Sequence, residues 1–296
     1  MKTKDIFDIN RFGKYFVSDL KTCSANYGLS LLTISLLTPL ALYVITIIFN
    51  LILHMGWEGP SLITRAIVFG IAMFCMVVTM PVKCYGGLTD KQYGSFWLTL
   101  PASGLEKFLS MIIITCIIAP LAGIALYLGL DALISAIDKT CGGSLGFGLM
   151  QLLEGMGNMN GTIADLKMNL GNEGIVISDG TEKLFKQITS PWMYIDDIIC
   201  MILPFLLGAI CFKKGKIVKT FIAMAVFSTA LSIIVTPIIL AMISPYIADI
   251  KAGADINEIF NSGLIKNMSW IDTLSDTLLN VGLLAGIWFR IKTLKH

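Results

Sequence analysis

Apolar residues gather into six long runs along this chain, at roughly 28–54, 62–82, 105–135, 193–212, 217–244 and 273–291, with short polar breaks between most of them. Each run is close to or longer than the roughly 20 residues that cross a hydrocarbon core of about 30 Å. Backbone groups left unsatisfied in lipid force such runs into helices. The pattern therefore predicts an all-α, polytopic membrane protein with six transmembrane helices. Pro39, Pro120, Pro204 and Pro237 fall inside runs and predict kinks.

Ahead of the first run, DIFDINRFGKYFVSDLK has helical spacing. Ile9, Phe12, Phe16 and Leu20 line one face, and Arg11, Lys14, Ser18 and Lys21 lie opposite. Residues 1–27 are thus expected to form an amphipathic cytoplasmic interface helix, with Phe12 and Phe16 toward the membrane and Arg11 and Lys14 toward headgroups. An ordinary lead-in to the first span is the plainer alternative. Residues 28–296 form the six-span domain, with a cytoplasmic loop at 83–106 and outer loops at 136–192 and 245–272.

Composition agrees with this reading. Of 296 residues, 55% are hydrophobic and 14% charged, with a mean hydropathy of +0.79. A soluble domain carries about 25% charged residues. The net charge of +2 matters less than its distribution. With the N-terminus inside, 15 of the 22 Lys and Arg residues fall in short inner segments and 15 of the 20 acids fall outside. This bias predicts that both termini are cytoplasmic.

The seven cysteines form no C-x-x-C pair, which argues against a disulfide framework and against zinc. His54 and His296 are the only histidines and have no metal-ligand neighbours, so no metal site and no catalytic residue are assigned. No G-x-x-x-x-G-K-[ST] phosphate loop occurs, so the chain is not expected to be an ATP-hydrolysing enzyme. The N-x-[ST] matches at Asn160 and Asn267 lie in expected outer loops.

Charges inside spans mark functional sites by default, since a mid-span charge costs about 2.5–3.5 kcal/mol. Arg65, Asp131, Asp196, Asp197 and Asp276 lie within a turn or two of outer span ends, where water is within reach. They read either as boundary residues or as an outer gate of Arg65, Asp196, Asp197 and Asp276, with Arg65 pairing one of the aspartates.

The break at WLTLPASGLEKFLS, residues 97–110, is more specific. Ser103-Gly104-Leu105-Glu106 has the S-x-x-E form of a capping box, in which Ser103 and Glu106 each satisfy the other's amide. Pro101 disfavours helix just upstream, and Lys107 is expected to snorkel to the headgroups. Thr89-Asp90-Lys91-Gln92 is a second possible box, opening a short helix through Trp97. That helix suits either contact with a cytoplasmic partner or anchoring on the membrane through Phe96 and Trp97.

The LPAS string followed by Glu-Lys resembles a motif of bacterial ABC-transporter permeases of the type-2, exporter-like class. LGAICFKKGKIVKTF (207–221) is similar to that group's basic turn between spans four and five, and WFRIKTLKH to its basic C-terminus. The resemblance implies a permease subunit of the bacterial inner membrane that binds no cofactor of its own. ATP and Mg would bind a separate cytoplasmic ATPase, and a second permease subunit would complete the pore as homo- or heterodimer. It nominates Asp90, Trp97, Pro101, Ser103, Glu106 and Lys107 as the ATPase-coupling loop. A membrane scaffold or sensor that binds a cytoplasmic partner without transport is the alternative.

Overall fold

The structure is a computed structural model. It describes the backbone of residues 7–150, 191–251 and 264–293, and their side chains except at 91–93, 98, 191–197, 238–239, 242–243, 245–251 and 264–276. All regular structure among the described residues is helical. The helices are α1 (Ile9–Leu32), α2 (Thr38–Ile52), α3 (Leu62–Tyr85), α4 (Lys91–Thr99), α5 (Gly104–Ile113), α6 (Ala119–Ile137), α7 (Pro191–Cys211), α8 (Lys216–Lys251) and α9 (Leu264–Thr293).

Four helical stretches are long and apolar enough to cross a membrane: Ile9–Ile52, Leu62–Thr89, Gly104–Ile137 and Lys216–Pro237. Ile198–Cys211 is a shorter apolar helix. Their outward positions carry Leu40, Ile45, Phe49, Ile63, Ile67, Ile71, Leu121 and Leu133, all exposed. Lipid covers such a surface at no cost, whereas water does not. This is the pattern of a membrane-embedded protein.

The chain divides into two compact units, one of residues 1–150, 201–220 and 283–296, the other of 151–200 and 221–282. In the first, α1 and α3 run antiparallel. Tyr15, Asp19, Cys23 and Tyr27 recur every four residues on the buried stripe of α1. The Tyr27 hydroxyl donates to the Met76 carbonyl at 3.4 Å. Cys23 and Cys84, 61 residues apart, form a disulfide. Cysteine spacing argued against a disulfide framework; this bridge exists because two antiparallel helices bring distant positions together.

Near residue 28, where an interface helix was expected to give way to the first span, the helix does not break. α1 continues through a π-helical segment, Thr33–Leu37, into α2. The continuous run of 44 residues is about 66 Å long at 1.5 Å per residue, twice the hydrocarbon core. Phe12 and Phe16 are half-buried, with ring centroids 5.7 Å apart. The stripe buried against the bundle is the neighbouring one, Tyr15 to Tyr27.

Two π-helical segments have a shared cause. Pro39 follows the segment Thr33–Leu37, and Pro120 follows the equivalent π-helical segment Ile114–Ile118 at the same spacing. Proline supplies no N–H and crowds the carbonyl four residues back. The preceding turn widens in response, as π-bulges do.

Candidate functional site

The loop at 83–106 is built as a series of caps. A 3-10 turn, Gly86–Thr89, follows α3. α4 then starts at Lys91 with Asp90 as its N-cap, not Thr89. The second capping box is not formed: the Thr89 hydroxyl donates back to the Gly86 carbonyl at 3.1 Å, and Asp90 makes no side-chain cap bond. Asp90 is exposed. α4 stops at Thr99, and Leu100, the residue before Pro101, is extended with φ −61° and ψ 134°, as the proline ring requires.

The box at Ser103 forms as its sequence predicts. The Ser103 hydroxyl accepts from the Glu106 amide at 3.2 Å, and Glu106 accepts from the Ser103 amide at 2.8 Å. The same carboxylate has a second task that local sequence does not show. It accepts from the Asp8 amide at 2.9 Å and from the Arg11 guanidinium through Nε at 2.9 Å and Nη2 at 2.8 Å. Asp8 is the N-cap of α1, its own carboxylate accepting from the Asn10 amide at 2.8 Å. Glu106 thus closes the first turns of two helices at once, and it is wholly buried. The fork-on-fork contact with Arg11 adds directional charge-assisted bonds.

Beside this clasp lies an open groove. Asn10, Arg11, Lys14, Tyr15 and Ser18 line one side, with Leu100 and Pro101 on the other. Lys14 is exposed, as expected, while Arg11 turns inward to Glu106. Lys107 does not snorkel. It is buried, donates to the Trp97 carbonyl at 2.8 Å and stands 4.7 Å from the Trp97 ring centroid. The ring and a backbone carbonyl offer the ammonium a closer partner than headgroups do. Trp97 is buried with it, while Phe96 is exposed.

The basic segments converge on the same end of this unit. Lys216, which opens α8, donates to the Gly86 carbonyl and to the Thr89 hydroxyl. Arg290 donates to the Ile210 carbonyl at 3.3 Å, and Trp288 meets Phe108 edge-on at 5.6 Å. Behind the clasp, Asp19 accepts from Ser110 at 2.6 Å and Tyr85 at 3.1 Å, joining α1, α3 and α5.

At the opposite end, Arg65 pairs with Asp131 through Nη1 at 3.0 Å, and both are buried. Arg65 also donates to Ser135 and to the carbonyls of Cys141 and Gly143, while Asp131 accepts from the Leu145 amide at 2.7 Å. The pair therefore holds the start of the expected 136–192 loop, where a helix begins at Leu145. Residues 151–190 and 252–263 of the two segments expected to be outer loops, with Asn160 among them, lie outside the described residues. So do the side chains of Asp196, Asp197, Asn267 and Asp276.

Beyond the ion pair, Asp138 fastens two turns. It accepts from Tyr43 at 2.7 Å, Trp57 at 2.9 Å and Thr140. The Thr140 hydroxyl, then the Tyr43 hydroxyl, the Thr140 amide and the Trp57 indole, hold its carboxyl well below the ordinary 3.8. A depressed pKa makes a contribution that is complete above the ordinary value and lost only as pH falls through the lowered one. Protection of the Gly59 and Thr140 amides, which rest on the Thr140 and Asp138 side chains, is expected to stay constant from pH 7 down to about pH 4. Asp138→Ala should abolish it at every pH; a loss near pH 5 in the parent protein would contradict this assignment.

No metal-ligating cluster of His, Cys, Asp and Glu occurs among the described residues. Compared with protein-family models, curated proteins and solved structures, this chain matches none.

Proposed function

We propose that this chain is the permease subunit of an ATP-binding cassette exporter of the bacterial inner membrane. It crosses the membrane six times, with both termini in the cytoplasm. A separate ATPase binds ATP and Mg, and a second permease subunit completes the transporter. The observation that carries the reading is the Glu106 clasp. Glu106 belongs to the LPAS-Glu-Lys string, and it joins that string to α1 in one rigid corner. A partner that pushes on α4 or fills the groove at Leu100 and Pro101 moves α1 and α5 together. Those two helices lead directly into membrane spans, so a push at the surface becomes a tilt within the bilayer.

Charge placement supports the orientation. Lys14, Lys21, Lys83, Lys213, Lys214 and Lys292 are exposed around the clasp end, while Glu58, Asp131 and Asp138 lie at the other.

The test is co-expression with the ATPase encoded beside this chain, purification in lipid and measurement of complex formation and ATP turnover. A stable complex is expected, with turnover that loses its link to transport when Trp97 or Asp90 is replaced by alanine. Failure of any ATPase to co-purify would sink the permease reading. Capture of a different cytoplasmic protein would favour a scaffold or sensor.

A further inference from the structure

We infer that the Cys23–Cys84 bridge is a thiol–disulfide switch controlling whether the first turns of α1 can leave the 83–106 loop. The inference rests on the orientation and coupling role proposed above. Three attachments hold the buried stripe of α1 in this region. One turn before Cys23, Asp19 takes the Tyr85 and Ser110 hydroxyls; one turn after it, Tyr27 reaches Met76 and Thr79. Both are hydrogen-bonded and reversible. Only the bridge is covalent.

Position gives the bridge its leverage. Arg11 precedes Cys23 by twelve residues, a lever of about 18 Å at 1.5 Å per residue. With the bridge closed, α1 can neither slide along α3 nor part from it, and Arg11 stays over Glu106. With the bridge open, α1 is held only by contacts that thermal motion breaks and remakes. The clasp can then yield when a partner pushes.

Compartment decides which state is at rest. On the proposed orientation this end faces the cytoplasm, where thiol pools keep cysteines reduced and disulfides are chiefly transient or redox-sensing. The reaction is ordinary exchange with a small dithiol. Its thiolate attacks one cysteine sulfur, the S–S bond breaks and a mixed disulfide forms. Its second thiol then displaces the remaining cysteine. Two electrons and two protons reach Cys23 and Cys84, and the dithiol leaves as a disulfide. A small-molecule disulfide reverses the reaction under oxidative stress. Both cysteines are buried, at 6% and 3% exposure, so a dithiol reaches the bridge only through a local opening of the turns that flank it. The coupled state thereby shields its own switch.

The test uses the full chain. Cells are quenched in acid, free thiols are alkylated, and the mass shift reports the bridge. Cys23 and Cys84 should be reduced in untreated cells and bridged after diamide. In lipid nanodiscs, reduction should speed amide exchange over residues 9–18 by about tenfold, as expected when a local opening replaces a fixed contact. The C23S/C84S variant should match the reduced protein in every buffer. Equal protection in both redox states would overturn the switch, as would a bridge that persists in untreated cells. A C-terminal reporter separates the two layers. A persistent bridge with a cytoplasmic reporter defeats the switch alone, and one with a periplasmic reporter defeats the orientation as well.

Discussion

Replacing Glu106 with alanine is expected to lower the unfolding free energy by about 2–4 kcal/mol and to loosen both helices that meet at the clasp. The substitution strands the Ser103 and Asp8 amides, each a helix-start donor. Loss of an N-terminal cap costs about 0.5–2 kcal/mol. It also leaves Arg11 without its carboxylate. Breaking a wholly buried pair costs about 3–5 kcal/mol, but the Arg11 side chain is 36% exposed and can turn to water. Its share falls accordingly. Glu106→Gln keeps one acceptor oxygen and should cost about half as much. Arg11→Lys should resemble the loss of the pair, because an ammonium cannot match the fork of a guanidinium. The measurement is denaturant unfolding in micelles followed by circular dichroism, with a double-mutant cycle on Arg11 and Glu106. Strictly additive effects would show that the two residues do not act as a clasp.

That clasp marks where sequence reading stops. Ser103 and Glu106 are three residues apart, so their mutual capping is a property of one turn and could be read directly. Pro101 is equally local. Arg11 and Glu106 are separated by 95 residues, and no periodicity connects them. A weak signal was present: Glu106 is the lone acid of its helix start, and Arg11 is the only arginine before the first span. Lys107 misled for a related reason. A lysine beside a headgroup layer snorkels by default, and only the packed position of Trp97 supplies a better partner. Thr89 likewise had the spacing of a cap, but the 3-10 turn at Gly86–Thr89 gives its hydroxyl a nearer carbonyl.

Four of the six expected spans are legible in the structure as well, because lipid imposes a single demand, an apolar helix of sufficient length. The four stretches from Ile9 to Ile52, Leu62 to Thr89, Gly104 to Ile137 and Lys216 to Pro237 meet it. Which helices touch was not legible, since each apolar face looks equally suited to lipid or to a neighbour. The polar exceptions settle it. Asp19 with Tyr85 and Ser110, Arg65 with Asp131, and Lys216 with Thr89 each fix a helix pair that hydrophobicity leaves open.

Asp131→Asn should be the more damaging single change at the opposite end, costing about 3–5 kcal/mol. Arg65 is 3% exposed, and unlike Arg11 it has no path to water. Without the aspartate it remains a cation surrounded by Ser135 and the carbonyls of Cys141 and Gly143, which offer dipoles but no charge. Replacing both partners with apolar residues of similar size, Arg65→Met with Asp131→Leu, should recover most of that loss. A buried ion pair is often no better for stability than a packed hydrophobic pair. The double variant nonetheless removes the acceptor for the Leu145 amide and both donors to the 141–143 turn. Stability and loop anchorage should therefore separate. The double variant is expected to unfold near the parental midpoint while the Leu145 amide exchanges well above its parental rate, because a leucine at position 131 offers no acceptor. Retained protection at Leu145 would show that the apolar contacts of Leu145 with Ala72 and Tyr127, not the ion pair, hold the start of the outer loop.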